Sequence, residues 1–364
     1  MIKNGYYYPV EFYDRLVHYD DETAAPKGVA AVGVSMGNRK AGKTVGHGIE
    51  MIRRYTERRT PERCMLLTRT DKERKEGYLQ KWWEKILRVD DDDHVIESFR
   101  ESHKLDFKND VVLCDGDPFC YCEAVSMSKR VKDTGSYDRC TIVCMDEAIQ
   151  TGESTLQIMG RPAMARIFEI WQTVARGWPD ATDSTALVFI ANVSERDNWI
   201  FNDLKINQFV RADTKFTAQH GICVEIVDNV IASAEIESSA MGEVMQRSEA
   251  GREYYESAQH NKFQDNTSFV IPRGLDFRNL KKQLILDGGC LGIFAVDNDI
   301  HVAKITEDAR SDKICNDVRF HSNDVDFEPY GDYENYLRLM YTDGRVTFQT
   351  LESKSFFLRY CSLK

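Results

Sequence analysis

A short run of small and basic residues has the composition of a phosphate-binding loop. Residues 37–44 read GNRKAGKT and fit the pattern G-x-x-x-x-G-K-[ST], in which backbone N–H groups surround the phosphates of a nucleotide. Lys43 would contact the β and γ phosphate oxygens, and the hydroxyl of Thr44 would bind Mg²⁺. The residues predicted to line the loop are Gly37, Asn38, Arg39, Lys40, Ala41, Gly42, Lys43 and Thr44.

Two adjacent acids follow another apolar run further along the chain. Residues 140–147 read CTIVCMDE and end in Asp146 and Glu147. An aspartate at such a strand end can hold Mg²⁺, and the adjacent glutamate can activate a water for in-line attack on a γ-phosphate. A strand that simply ends in exposed acids is the alternative interpretation. The order Asp-Glu favours hydrolysis by water, so the pattern predicts an ATPase that performs mechanical work rather than a kinase.

A polar residue ends the next apolar run. Residues 186–192 read ALVFIAN, and Asn192 is predicted to sense the γ-phosphate from the end of that strand. An ordinary turn residue is the alternative.

These residues require a sheet whose strand ends meet at one edge. The segments that predict buried strands are 29–36, 64–69, 138–150, which ends in acids, and 185–194. The segments that predict helices between them are 44–58 and 162–176. This alternation of strands and helices is typical of a parallel α/β sheet covered on both faces, and it extends to about residue 205.

Local signals predict further elements. Thr70 followed by Glu73 forms a capping-box pattern, so we expect a helix from there to about Arg88. Asp115-Gly116 between two apolar runs predicts a β-hairpin. The alternating residues 94–99 predict a surface strand.

The change of pattern along the chain predicts three regions. Residues 1–205 form a P-loop ATPase domain, and residues 206–262 form a polar, helical linker. Residues 263–364 form a C-terminal α+β domain with a meander of strands at 267–305.

Composition excludes several classes of protein. The 364 residues carry a net charge of −11, so contacts with nucleic acid must be local. No long apolar run predicts a membrane span, and the first residues do not resemble a signal peptide. The ten cysteines lie mostly inside apolar runs and form no CxxC pair, which predicts buried, reduced thiols rather than a zinc site.

The order of these motifs resembles one family. The phosphate loop, CMLLTR, the Asp-Gly hairpin, CTIVCMDE, WQTVAR and FIANVS follow one another as in the DNA-packaging ATPase of phi-twenty-nine-type podophages, a relative of terminase large subunits. The resemblance implies a ring, expected to be a pentamer, that hydrolyses ATP with Mg²⁺ and pumps double-stranded DNA into a prohead. It places the protein in the host cytoplasm and, transiently, at the portal vertex.

The resemblance also implies roles for basic residues. Arg176 matches an arginine finger that acts on the nucleotide of a neighbouring subunit; the alternative is a cation at a helix C-terminus. The residues implied to contact DNA or a neighbouring nucleotide are Arg69, Lys72 and Lys132.

The C-terminal domain resembles an RNase H-like nuclease that has lost its acids. It is expected to have no nuclease activity and to contact the portal, or connector, or a packaging RNA. The N-terminal domain is expected to be a P-loop NTPase of the additional-strand catalytic-glutamate type.

Two other functions remain open from the residues. A different ring ATPase acting on nucleic acid, such as a helicase or recombinase loader, would use the same loop and acids. A nucleotide-binding assembly protein without activity would leave Glu147 idle.

Overall fold

The computed structural model describes most of the chain and divides it into two compact units. The described residues are 2–3, 6–20, 25–37, 41–134, 137–149, 163–176, 184–192, 198–206, 209–210, 214–228, 239, 243–244, 247, 271, 273–286, 289–305, 319–321 and 330–361. One unit comprises Met1–Ser194 and Asn198–Gln264, and the other comprises Glu195–Asp197 and Asp265–Lys364.

The first unit is a mixed α/β structure. Its described strands are β1 (Ile2–Lys3), β2 (Tyr6–Tyr7), β3 (His18–Asp20), β4 (Ala25–Lys27), β5 (Val32–Gly37), β6 (Arg63–Thr68), β7 (Leu105–Phe107), β8 (Val111–Cys114), β9 (Asp117–Ala124), β10 (Cys140–Met145), β11 (Ala186–Asn192), β12 (Phe216–Gln219) and β13 (Ile222–Val227). Its described helices are α1 (Val10–Arg15), α2 (Lys43–Thr56), α3 (Asp71–Lys75), α4 (Tyr78–Leu87), α5 (Val95–Ser102), α6 (Ser128–Thr134), α7 (Ala163–Ala175) and α8 (Trp199–Asp203).

Nine of these strands form one sheet dominated by parallel pairing. The strand order is β12-β13-β5-β11-β10-β6-β9-β8-β7. All neighbours from β13 to β9 are parallel, and the strands at the two ends pair antiparallel. Strand β11 therefore lies between β5 and β10, and the carboxyl ends of all three meet at one edge of the sheet.

Both faces of this sheet are covered, as its apolar strands predict. Val143 and Met145 of β10 belong to the apolar cluster that α7 covers, whereas Ile142 and Cys144 belong to the cluster that α2 and α4 cover. Successive side chains of a strand point to opposite faces, so a strand buried on both sides is apolar at every position.

The predicted hairpin and capping box are both present. β8 and β9 pair antiparallel around Asp115 and Gly116, whose φ values of 53° and 93° suit a tight turn between twisted strands. The side chain of Thr70 accepts a hydrogen bond from the backbone of Glu73, and the glutamate carboxylate accepts one in return. Gly77, at φ 77°, separates α3 from α4 within the predicted helix.

The prediction of a surface strand at 94–99 is wrong, because this segment belongs to α5. The carboxylate of Asp91 accepts hydrogen bonds from the backbone nitrogens of Val95 at 3.0 Å and Ile96 at 2.9 Å. These bonds satisfy two of the N–H groups that a helix leaves free at its start. Ile96 and Phe99, three residues apart, are buried on one helical face.

The sheet continues past residue 205, where the sequence pattern changes. The antiparallel pair β12 and β13 lies within 206–262, and β13 pairs parallel with β5. This part of the predicted helical linker therefore belongs to the sheet of the first unit. Most of residues 229–262 lie outside the described part of the chain.

The second unit is an α+β structure, with the predicted meander at its centre. Its described strands are β14 (Leu280–Leu286), β15 (Gly289–Val296), β16 (Asp299–Ile305), β17 (Arg319–His321) and β18 (Val346–Phe348), in the order β17-β14-β15-β16-β18. β14, β15 and β16 pair antiparallel, and β17 and β18 add to the two edges in parallel. The helices α9 (Tyr330–Thr342) and α10 (Leu351–Tyr360) contribute Leu337 and Phe357 to the core beside Val302 and Phe348.

The cysteines agree with the prediction of buried, reduced thiols wherever their side chains are described. Eight free cysteines are buried: Cys64, Cys114, Cys120, Cys122, Cys140, Cys144, Cys223 and Cys361. Burial raises the pKa of the Cys144 thiol well above its usual value. Among the described helices, none has the combined length and apolar character needed to cross a bilayer.

Candidate functional site

The phosphate-loop motif lies where β5 ends and α2 begins. Gly42 is in the left-handed region at φ 82° and precedes the first helical residue, Lys43. Glycine adopts this backbone without strain, and it lets the loop turn into the helix. The helix N-terminus provides free N–H groups and the positive end of the helix dipole, which suits an anion. Asn38, Arg39 and Lys40 lie outside the described residues.

The lysine of the motif is buried and points back along its own loop. Lys43 is 7% exposed, and its Nζ donates to the carbonyl oxygen of Gly37 at 2.9 Å and to Oδ1 of Asn192 at 3.4 Å. Gly37 and Asn192 are register partners at the ends of β5 and β11. The predicted sensor asparagine and the loop lysine are therefore adjacent.

Thr44 and Asp146 are in direct contact. The Thr44 hydroxyl donates to Oδ2 of Asp146 at 2.9 Å, and the two residues are 102 positions apart in the chain. Trp82 Nε1 donates to the same carboxylate oxygen at 2.8 Å. The other oxygen, Oδ1, accepts the backbone N–H of Glu147 at 2.8 Å. A hydroxyl and a carboxylate are oxygen ligands of the kind that Mg²⁺ prefers.

Glu147 has an unusual backbone conformation. Its φ of 50° lies in the left-handed region, which costs a residue with a side chain on the order of 1–3 kcal/mol. Its N–H is bound by Asp146, and its carbonyl oxygen accepts a hydrogen bond from the guanidinium of Arg69. Its side chain is exposed. Two hydrogen bonds therefore hold the strained backbone of Glu147, while its side-chain carboxylate is exposed to solvent.

Arg69 is inside the chain rather than on its surface. It is 8% exposed, and its carboxylate partner Glu73 lies 3.8 Å from the guanidinium. Its guanidinium, the group that would contact DNA or a neighbouring subunit, is engaged in a hydrogen bond to the Glu147 carbonyl. Lys72 has an exposed side chain that lies 3.7 Å from Glu76, so it remains accessible to a partner. Lys132 lies on α6, and its side chain is outside the described part.

Arg176 lies away from the phosphate loop and from Asp146, Glu147 and Asn192. It is exposed just after α7, whose Trp171 donates to the carbonyl oxygen of Thr185 at 2.9 Å. Thr185 comes just before β11, and its hydroxyl donates to the carbonyl oxygen of Cys140, the first residue of β10, at 3.3 Å. The end of α7 thus lies at the amino edge of the sheet, opposite Asn192. The seven residues of β11 span roughly 20 Å.

The helix that carries Lys43 also holds a buried histidine. His47 is packed among aromatic rings, with centroids 5.4 Å from Phe12 and 5.5 Å from Tyr13, and the Tyr13 hydroxyl lies 3.1 Å from Nδ1. Burial, together with the positive charge of Lys43, lowers the pKa of His47 to about 3. The imidazole is neutral at ordinary pH, so it adds no second positive charge beneath the loop.

Close backbone packing surrounds the loop. A Cβ added to Gly37 would lie 2.3 Å from the carbonyl oxygen of Val227 on β13, and one added to Gly46 would lie 2.2 Å from the carbonyl oxygen of Tyr7. Tyr7 also packs with Ala41, and its hydroxyl donates to Glu225 of β13 at 2.5 Å. The N-terminal segment and β13 therefore support the loop from two sides.

Sequence reasoning did not identify Trp82 as part of this site. No local pattern distinguishes it from Trp83, and both occupy buried positions on α4. Only the packing of α4 against the sheet brings one of the two indoles to Asp146.

Comparison with solved structures assigns the fold. No family model matches the chain, and no curated protein does. The fold is similar to that of proteins in viral DNA-packaging motors. The bacteriophage Phi-29 viral genome packaging motor assembly aligns over 98% of this chain and 99% of its own, with a TM-score of 0.62 and 17% identity. The Phi-28 gp11 DNA packaging motor aligns over 100% and 99%, with a TM-score of 0.63 and 15% identity. The resemblance inferred from the motifs is thus confirmed as a likeness of fold along the whole chain.

Proposed function

We propose that this chain is the ATPase of a viral genome-packaging motor, which hydrolyses ATP to move double-stranded DNA into a prohead. The observation that carries this proposal is the contact of Thr44 with Asp146 and of Lys43 with Asn192 at one edge of the sheet. The phosphate-binding loop and the acidic strand end meet there. The likeness of fold to packaging motors narrows the class of ATPase.

The residues at this edge fit ATP with Mg²⁺. The loop with Gly42 and Lys43 would hold the phosphates, because it combines free N–H groups with a cation. Thr44 and Asp146 would hold Mg²⁺ through oxygen. When bound, the metal would neutralise charge on the β and γ phosphates. The strand order β5-β11-β10 supports the additional-strand catalytic-glutamate type of P-loop ATPase, since one strand separates the loop from the acids.

Glu147 is the proposed general base. Its backbone is held by Asp146 and Arg69 while its carboxylate stays exposed, so the side chain can accept a proton from a water that attacks the γ-phosphate. Asn192, in contact with Lys43, would report the loss of that phosphate through β11.

Arg176 is the proposed arginine finger acting on a neighbouring subunit. Its position toward the opposite edge of the sheet supports action on the nucleotide of a neighbouring chain rather than on that of its own. An exposed guanidinium there suits a subunit interface, where it would stabilise charge in the transition state. This geometry supports a ring, which we propose to be a pentamer.

The second unit is proposed to be an RNase H-like domain without nuclease activity. Two-metal nucleases need several carboxylates that converge. Here Asp297 lies in the turn before β16, and Asp299 binds Arg345 at 3.0 Å. Asp308 lies outside the described residues. We propose that this unit contacts the portal or a packaging RNA.

Double-stranded DNA is the proposed substrate of translocation, and Lys72 is a proposed contact. Because the net charge is −11, most of the surface does not bind DNA by counterion release. A few basic residues facing the central pore of the proposed ring would be enough to contact DNA. The assembly would work in the host cytoplasm, at the portal vertex of the prohead.

The test combines two substitutions. Glu147→Gln and Arg176→Ala should each abolish ATP hydrolysis while a fluorescent ATP analogue still binds. Mixing the two variants should partly restore hydrolysis, because some interfaces then pair an intact Glu147 with an intact Arg176. Activity in Glu147→Gln alone would contradict the base assignment, and the absence of rescue would contradict the trans finger.

A DNA comparison separates the packaging motor from a helicase. Duplex DNA should stimulate hydrolysis more than single-stranded DNA at equal nucleotide concentration. The reverse order would favour the helicase alternative.

A further inference from the structure

Trp82 contacts the aspartate of the proposed metal site. Its indole Nε1 donates to Oδ2 of Asp146 at 2.8 Å, and the residue is 5% exposed. Nothing in the phosphate-loop pattern or in the acidic strand end requires an indole at this position.

The hydrogen bonds to Asp146 leave its carboxylate in one orientation. Oδ2 accepts Trp82 and Thr44, and Oδ1 accepts the N–H of Glu147. A carboxylate offers roughly four lone-pair positions, so the remaining capacity lies on Oδ1. Trp82 and Thr44 together hold Oδ2 in place, which restrains the plane of the carboxylate.

Trp82 is itself held firmly relative to Thr44. Its ring packs edge to face on Trp83, with centroids 4.9 Å apart. On the same helix, Ile86 packs against α2 so closely that a Cβ added to Gly48 would lie 2.4 Å from its Cδ1. Because α2 carries Thr44, the packing of α2 on α4 fixes the separation between the hydroxyl and the indole that share one oxygen.

We propose that Trp82 is a positioning residue that holds the Asp146 carboxylate in the orientation needed for Mg²⁺. This inference rests on the proposed ATPase function. Partners that orient metal-binding side chains contribute about 10–100-fold to metal affinity or activity. Loss of the indole N–H lets the carboxylate sample other orientations, so the metal binds more weakly. The indole donates to Asp146 and not to the phosphate loop, so nucleotide binding without metal should be little changed.

The chain provides a matched control beside Trp82. Trp83 is 0% exposed, and its Nε1 is buried without a hydrogen-bond partner in the part of the chain that the structure describes. Trp83→Phe removes an indole N–H that has no partner among the described residues, whereas Trp82→Phe removes the one that binds Asp146. Both substitutions retain an aromatic ring.

The experiment measures Mg²⁺ dependence with a fluorescent ATP analogue. For Trp82→Phe, the Mg²⁺ concentration for half-maximal hydrolysis and for half-maximal change in nucleotide binding should rise about tenfold. Its affinity for the analogue in EDTA should stay within about twofold, and Trp83→Phe should match the wild-type chain in both. A structural defect would also weaken binding in EDTA and lower the melting temperature.

The outcomes separate this inference from the function on which it rests. If the wild-type chain does not bind the analogue, both are overturned. If it does, but Trp82→Phe has the Mg²⁺ dependence of the wild-type chain, the positioning role alone is overturned.

A second measurement needs no folded variant. The wild-type chain is labelled with ¹⁵N at its tryptophan indoles, without fluorotryptophan analogues. Addition of Mg²⁺ to the nucleotide complex should then shift an indole N–H resonance beyond the change caused by nucleotide alone. The absence of any indole shift would contradict the proposal.

Discussion

The guanidinium of Arg69 donates a hydrogen bond to the backbone carbonyl of Glu147, 78 positions further along the chain. The acceptor residue has a left-handed backbone, so the bond holds a conformation that Glu147 would otherwise leave. Arg69 thus acts on the backbone of the proposed base, while the carboxylate remains exposed.

Arg69→Ala should slow ATP hydrolysis without changing the KM for ATP. A hydrogen bond from a charged group contributes about 1.5–3 kcal/mol, and if this bond holds the base in place in the transition state, its loss corresponds to about 10–160-fold in rate. Steady-state kinetics check this expectation. The control is Arg88→Ala, which removes an exposed guanidinium that lies 3.4 Å from Glu84. Equal kcat values for the two variants would contradict the role of Arg69.

Asp91→Ala should destabilise the first unit by about 1–2 kcal/mol. The buried carboxylate binds two backbone nitrogens at the start of α5, and the loss of such a cap typically costs about that much. Denaturant unfolding measures the difference. Asp90→Ala changes an exposed neighbour and should stay within about 0.5 kcal/mol of the wild-type chain. Equal losses in both variants would show that the cap does not stabilise α5.

Gly46→Ala should lower the melting temperature, although alanine is the better helix former. The added methyl group would meet the carbonyl oxygen of Tyr7 at 2.2 Å, and overpacking of this kind costs about 1–3 kcal/mol. Gly274→Ala adds the same methyl group where, apart from its chain neighbours, no heavy atom of the described residues lies within 4 Å, and it should be tolerated. A Gly46→Ala protein as stable as the wild type would mean that the N-terminal segment moves aside readily.

His47 should make the protein less stable as the pH falls. Its pKa is lowered from 6.5 to about 3 on folding, so between these values the unfolded chain binds the additional proton. The contribution is fully present above pH 6.5 and decreases toward pH 3, with a slope of up to about 1.4 kcal/mol per pH unit. His47→Phe should flatten the dependence of the unfolding free energy on pH.

The control for this pH dependence is His94→Asn. His94 is exposed at φ 53°, a conformation that asparagine tolerates, so the substitution should keep the wild-type slope. If His47→Phe shows the same slope as the wild type between pH 4 and 6, burial of the histidine does not control acid stability.

The central sheet and the phosphate loop were predictable because their signals are local. A strand buried on both faces is a continuous apolar run, and the loop requires a fixed spacing of glycine, lysine and threonine. The meeting of Thr44 with Asp146 also followed from topology, since carboxyl ends of parallel strands share an edge.

Other features depend on contacts between distant residues. The helix at residues 95–102 is capped by Asp91, which lies outside the usual N-cap position. The alternating pattern of residues 94–99 therefore gave a wrong prediction. β13 joins the parallel part of the sheet through its pairing with β5, which lies far away in the sequence. Trp82 becomes part of the site through the packing of α4, which no pattern within the helix specifies.

The buried cysteines have a practical consequence for single-molecule fluorescence experiments. Maleimide dyes react with exposed thiolates, and the eight described thiols are buried, so they should label slowly. In a variant that also carries Cys290→Ser and Cys315→Ser, a cysteine introduced at the exposed position of Arg88 would react before the eight buried thiols. One fluorophore per chain could then be attached without changing the buried core.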